Sequence, residues 1–210
     1  MDTETQKLSC EVVFDTSTFN DLTVTGIFWG RIKLEFPYKK TVAGHGILLQ
    51  NEDNSISLLV RQNSLLVTFC RIAQDGWCEF RRILYQQLWE YIAIVKAKGI
   101  ISVELSRSLD IVFNDKVDVG DMLTKLNLLQ YGESDIRVFH KVEVPFFGNG
   151  VLITSIDYNR TTTKSSIDVR VVLMSSRPKN LADIFDNGVN EIDRTFFSNL
   201  TEKLRLSLQK

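Results

Sequence analysis

The chain has 210 residues, 44% of them hydrophobic and 24% charged, with 25 basic against 26 acidic side chains. That length buries a substantial core, and the composition excludes disordered and fibrous classes. Charge is also level along the chain, with 11 basic and 12 acidic residues up to Leu105 and 14 of each beyond it, which removes the usual electrostatic driver of non-specific nucleic-acid or anionic-membrane binding.

The polar stretch Met1–Lys7 lacks the apolar centre of a secretory signal. No apolar run approaches the roughly 20 residues of a membrane-spanning helix. The three cysteines, Cys10, Cys70 and Cys78, include no Cys-x-x-Cys pair and read as reduced thiols of a cytoplasmic protein.

Residues 10–14 alternate, setting Cys10, Val12 and Phe14 on one strand face. A short helix is expected to carry Ile27, Phe28, Ile32 and Phe36 before Pro37 stops it. Two strands follow, with Ile56, Leu58 and Val60 on one and Leu65, Val67 and Phe69 on the other, joined by a turn at Arg61–Ser64. From Gly76 to about Lys98 the period changes: Trp77, Phe80, Leu84, Leu88 and Val95 recur at helical spacing, and Gly99 suits a left-handed C-terminal position. Ile101, Val103 and Leu105 mark the next strand, with a further run through Leu109, Ile111 and Phe113. Asp118 to Leu129 reads as a short helix. Strands are expected around 136–144, 151–158 and 167–174, the last pair joined by the polar loop Asn159–Lys164. Pro178 and Asn180 introduce a second long helix with Leu181, Ile184, Val189, Ile192, Phe196, Leu200 and Leu204 as its stripe.

This order predicts an α+β fold over residues 1–210, built as one domain from two pseudo-repeat halves, 8–99 and 100–210. Each half would be a set of largely antiparallel strands followed by a long amphipathic helix packed on the sheet. The repeat is one of element order and not of aligned residues.

No catalytic constellation emerges. The two histidines, His45 and His140, are isolated, and neither His-x-x-x-His nor Cys-x-x-Cys offers a metal site. Phosphate-binding glycine motifs and the Gly-x-Ser-x-Gly elbow are absent, and Gly44-His45-Gly46 and Gly148-Asn149-Gly150 read as turns. Cys70 or Cys78 with His45 and Asp75 could be drawn as a triad, but a chain of this length permits many such drawings. No catalytic, metal or cofactor site is therefore expected.

The 21 aromatic residues are the informative remainder. Tyr85 and Trp89 fall off the centre of the helix stripe at a four-residue spacing, so they form either a second buried flank or a partner-binding patch. Phe146 and Phe147 are adjacent at a strand end and cannot both face one core, which makes them partner-binding candidates too. A rival reading places a small-ligand or enzymatic pocket between sheet and helices, lined by Glu104, Arg107 or His140. Glu104 and Arg107 stand where a strand would otherwise be apolar. Nucleic-acid association is a third reading, disfavoured by the charge balance.

Several short marks carry a family likeness. They are Glu11-Val12-Val13-Phe14, Phe36-Pro37, Leu65–Phe69 followed by Gly76-Trp77-Cys78-Glu79-Phe80, Val103–Leu109, and Ile192, Phe196, Leu200 and Thr201. Together they resemble a sporadically distributed bacterial family of uncharacterised proteins of about 250 residues. The sequence departs from that pattern where Val189 replaces a frequent histidine and where Val103–Leu109 replaces a Leu-Arg-Tyr-x-Asn core. The resemblance implies no reaction. Its patchy distribution implies a defence or toxin–antitoxin neighbourhood. The expectation is a non-enzymatic, cytoplasmic interaction or assembly module that binds itself or another protein, without nucleic acid or membrane.

Overall fold

Period-two alternation of buried and solvated side chains dominates this chain, and it produces strands longer than the apolar runs alone suggest. The computed structural model describes residues 3–16, 21–42, 46–70, 76–113, 136–144, 150–160, 165–178, 181–202 and 204. In chain order the elements are β1 (Thr3–Asp15), α1 (Asp21–Ile32), β2 (Tyr38–Val42), β3 (Gly46–Gln50), β4 (Ile56–Val60), β5 (Ser64–Cys70), α2 (Gly76–Val95), β6 (Gly99–Phe113), β7 (Ile136–Val144), β8 (Gly150–Arg160), β9 (Ser165–Ser176) and α3 (Leu181–Ser198). The expected helix at 118–129 lies outside the described residues.

All nine strands join one sheet, in the order β2-β3-β4-β5-β1-β6-β9-β8-β7. Every neighbouring pair is antiparallel. The long strands β1 and β6 form the central pair, running from Thr3↔Val112 to Asp15↔Gly99 with an irregularity at Val13/Phe14. The α+β class and the antiparallel sheet expected from the sequence are present.

One face of the sheet is the core. Leu8, Cys10 and Val12 of β1 register with Arg107, Leu105 and Val103 of β6, and the row continues to Leu173 of β9 and Leu152 of β8. The apolar members of this row are buried, each contributing about 1.5–3 kcal/mol when a large side chain is fully covered. All three helices lie on this face. Phe80 of α2 packs beside Phe69, and Tyr91 meets both Phe14 and Phe28 of α1 at ring separations of 5.6 and 5.8 Å. The Tyr91 hydroxyl donates to the Arg61 carbonyl at 2.7 Å, so its polar end is satisfied within the core.

Several boundaries differ from the sequence expectation for identifiable reasons. The strand at 10–14 extends back to Thr3, because the polar residues Thr3–Lys7 pair along β6. The runs 101–105 and 109–113 are one 15-residue strand. Helix α2 ends at Val95, and Lys96, not Gly99, takes the left-handed conformation at φ 51°; Gly99 is already a strand residue, paired with Asp15. Strands β2 and β3 were not anticipated. Gly46, expected in a turn, opens β3 at φ 97°, where a Cβ would lie 2.1 Å from the Val60 carbonyl oxygen, so only glycine fits.

A second glycine sets how closely α3 approaches the sheet. Gly188 is buried, and a Cβ there would fall 2.5 Å from Leu173 Cδ2. Alanine would gain about 0.8–1 kcal/mol of helix propensity but must displace a fully buried leucine, at about 1–3 kcal/mol. The expected result for Gly188→Ala is a net loss of about 1 kcal/mol in urea unfolding, with the denaturant slope unchanged.

Candidate interaction surfaces

The charged positions singled out in the central strands stand on opposite sides of the sheet. Parity along β6 puts Val103, Leu105, Arg107, Leu109 and Ile111 toward the helices, so Arg107 occupies a core position. It is only 8% exposed. Its guanidinium donates from Nη1 to Asp193 Oδ1 of α3 at 2.8 Å and from Nη2 to Gln6 Oε1 at 3.2 Å. The same group lies 4.9 Å from the Phe196 ring centroid and 4.5 Å from that of Phe197, a stacking geometry suited to a planar, weakly hydrated cation. Asp193 Oδ1 also accepts from Trp77 Nε1 at 2.9 Å. One carboxylate thus links the first turn of α2, the middle of β6 and α3.

Glu104 faces the other way. It pairs with Arg170 of β9 at 2.8 Å on the face that carries no helix among the described residues. His140 is exposed on β7, opposite Thr154. Glu104, Arg107 and His140 therefore do not converge: Glu104 is on the opposite face from Arg107, and β9 and β8 stand between Arg107 and His140 in their shared cross-strand row.

Removing Asp193 leaves the Trp77 indole without its acceptor and the buried arginine without its counter-ion, with only Gln6 still accepting from it. Loss of one member of a buried ion pair costs about 3–5 kcal/mol, and the partial exposure of Asp193 (28% of its side chain) reduces this to about 2–3 kcal/mol. Asp193→Ala is expected to lower stability by that amount in chemical denaturation, whereas Arg107→Met, which keeps the stem between the phenyl rings, should cost less.

The face without a helix among the described residues is polar at its centre. Ser9 and Ser106 share a 2.6 Å hydrogen bond across β1 and β6. Glu11 is held by Arg61 and by Ser64 Oγ, the latter at 2.8 Å. Half-buried Leu48, Leu59 and Leu66 register side by side across β3, β4 and β5. On the far side Val172 pairs with Ile153, and Met174 with Val151.

Toward one end of this face, Asp110, Asp168 and Asp157 register in a line across β6, β9 and β8. Burial first, then the charges of Asp110 and Asp157, push the Asp168 carboxyl above its usual range, with Arg170 and Lys7 opposing. Its folded-state value is raised, so protonation favours the folded state: the stabilising contribution is complete below the ordinary carboxylate value and is lost as pH rises through the raised one. Asp168→Asn should therefore raise the melting temperature at pH 7, by the equivalent of roughly half a kcal/mol, and the gain over wild type should vanish near pH 3.

The aromatic candidates also divide. Tyr85 is half-buried, 5.9 Å from the Phe185 ring of α3, with the Arg81 guanidinium 5.5 Å from its own ring. Arg81 in turn pairs with Asp186. Trp89 is 77% exposed in the middle of α2, and Ile92 one turn further is also exposed. Phe146 and Phe147 lie outside the described residues. Phe139 is 64% exposed on β7; its place on an edge strand of the described sheet, which no local sequence pattern marks, is what exposes it.

The cysteines offer little chemistry. Cys10, Cys70 and Cys78 are free, and Cys10 is buried. Burial, reinforced by Glu104 and Glu11, pushes the Cys10 thiol far up, so it stays protonated. His45 and Asp75 lie outside the described residues. Among the described residues no three His, Cys, Asp or Glu side chains are placed to share a metal ion, and no helix is long and apolar enough to cross a membrane. No family model matches the chain, and no curated protein matches it.

Proposed function

We propose that this chain is a non-enzymatic protein-interaction or assembly module of the bacterial cytoplasm, engaging a second copy or another protein through exposed aromatic and apolar side chains. Trp89 carries the reading. The neighbouring stripe of α2, with Phe80, Leu84, Leu88 and Tyr91, is buried, while Trp89 holds most of its surface in water. Tryptophan is costly to expose and is enriched among residues that dominate binding energy. Ile92 extends the same face of the helix.

The pseudo-repeat of units 8–99 and 100–210 belongs to this proposal. What supports it is the strand order, in which β5, β4, β3 and β2 run outward from β1 while β9, β8 and β7 run outward from β6. Helices α2 and α3 close the two runs. A link to a defence or toxin–antitoxin neighbourhood rests on the family resemblance alone.

The test compares wild type with Trp89→Ala by light scattering and by tagged purification from the native host. Trp89→Ala should fold with unchanged melting temperature while weakening assembly or partner retention about tenfold or more, the loss of a binding hot spot. Identical mass and identical co-purifying proteins for both forms would contradict the reading.

A further inference from the structure

The two edges of the sheet differ. β2 is a five-residue strand bearing Lys39 and Lys40, the short, lysine-rich edge that resists pairing with another chain. Lys39 is further engaged 4.7 Å from the Trp29 ring. β7 is nine residues long, contains neither proline nor glycine, and pairs with β8 on one side only among the described residues. Phe139 (64%) and Val142 (43%) are exposed along it, as are His140, Lys141 and Glu143.

The sequence of β7, Ile136-Arg137-Val138-Phe139-His140-Lys141-Val142-Glu143-Val144, is complementary to its own reverse. Turned antiparallel about His140, the arginine position 137 stands opposite the second copy's Glu143. Val138 then stands opposite Val142, Phe139 opposite Lys141, and Ile136 opposite Val144. Apart from His140, which meets its own copy at the axis, each cross-strand pairing is of a favourable kind: opposite charges, apolar pairs, and a cation beside an aromatic ring. The symmetry counts every unlike pair twice. A two-fold axis normal to the sheet, passing between the two copies of His140, keeps open face beside open face and helix layer beside helix layer, as an isologous dimer requires.

We propose that β7 is a homodimerisation edge, pairing antiparallel with β7 of a second copy in the register centred on His140. The pairing rests on the assembly reading above and gives it a partner, through an edge distinct from the Trp89 face: two nine-stranded sheets continue into one. Unpaired strand N–H and C=O groups supply the adhesion, and the charge pattern supplies the register. A shift by two residues would set Arg137 opposite Lys141 and lose the ion pairs at both ends.

Two independent measurements on the full chain test it. In light scattering, wild type is expected to dimerise, and Arg137→Glu or Glu143→Arg alone, each turning two attractive pairs into repulsive ones, should weaken the dimer roughly tenfold or more. The double swap Arg137→Glu/Glu143→Arg should restore it. In a Cys78→Ser background, His140→Cys should form a disulfide-linked dimer on mild oxidation, since either antiparallel pair spacing, about 4.5 or 5.5 Å between Cα atoms, lies within disulfide range. Lys141→Cys, which faces Phe139 of the second copy, should cross-link far less. A dimer indifferent to the charge swaps and not linked through position 140 overturns the edge pairing but leaves assembly through another surface. A monomer at every concentration also overturns it, and if Trp89→Ala then changes no partner retention, the assembly reading falls with it.

Discussion

Two of the three helices are tied to the sheet through one buried cation. Arg107 sits at a core position of the central strand β6, where a charge costs several kcal/mol to desolvate unless it is paired and hydrogen-bonded. Asp193, Gln6 and the rings of Phe196 and Phe197 meet that requirement at Nη1, Nη2 and the guanidinium faces from two different elements, while Nε is buried without a hydrogen-bond partner. Because Asp193 also holds Trp77, the position of α3 and the start of α2 are fixed by the same carboxylate. The apolar core would favour helices on this face in many orientations; the arginine admits few.

Among the described residues the two sides of the sheet are unlike. Helices α1, α2 and α3 close one face through rings and aliphatic side chains, with Gly188 allowing α3 to press on Leu173. The other face is held by cross-strand ion pairs and hydroxyl contacts, Glu11 with Arg61, Glu104 with Arg170 and Ser9 with Ser106. Such partly solvated pairs contribute little stability. Of the exposed aromatics, Trp89 lies at the outside of the helix layer, and Phe139 and Tyr38 lie on the two sheet edges.

Much of this was legible in the sequence where one face of an element is buried. Alternation marks β4, β5, β8 and β9, and helical spacing marks α2 and α3 nearly to their ends. The pattern failed where both faces are partly covered or where the strand is an edge. Ile47-Leu48-Leu49 of β3 does not alternate, because Leu48 is half-buried on the open face beside Leu59. Tyr38–Val42 carries the lysines of an edge and reads as a loop. Arg107 was visible as an unexpected charge beside Glu104; that it alone of the two faces inward follows from the unbroken register of β6 over these residues. Its acceptor was not legible: Asp193 is 86 residues away, and nothing local couples the two. Of the partner-binding candidates, Trp89 and Tyr85 share a helix, yet only the packing of α3 against Tyr85 separates their environments.

The most direct test of the anchoring role is amide hydrogen exchange in the Arg107→Leu variant. If Arg107 and Asp193 fix both helices, protection should fall together in α3 and in the first turn of α2, while the β1–β6 ladder keeps the protection it has in wild type. Unchanged exchange in both helices, or a loss confined to β6, would contradict the account.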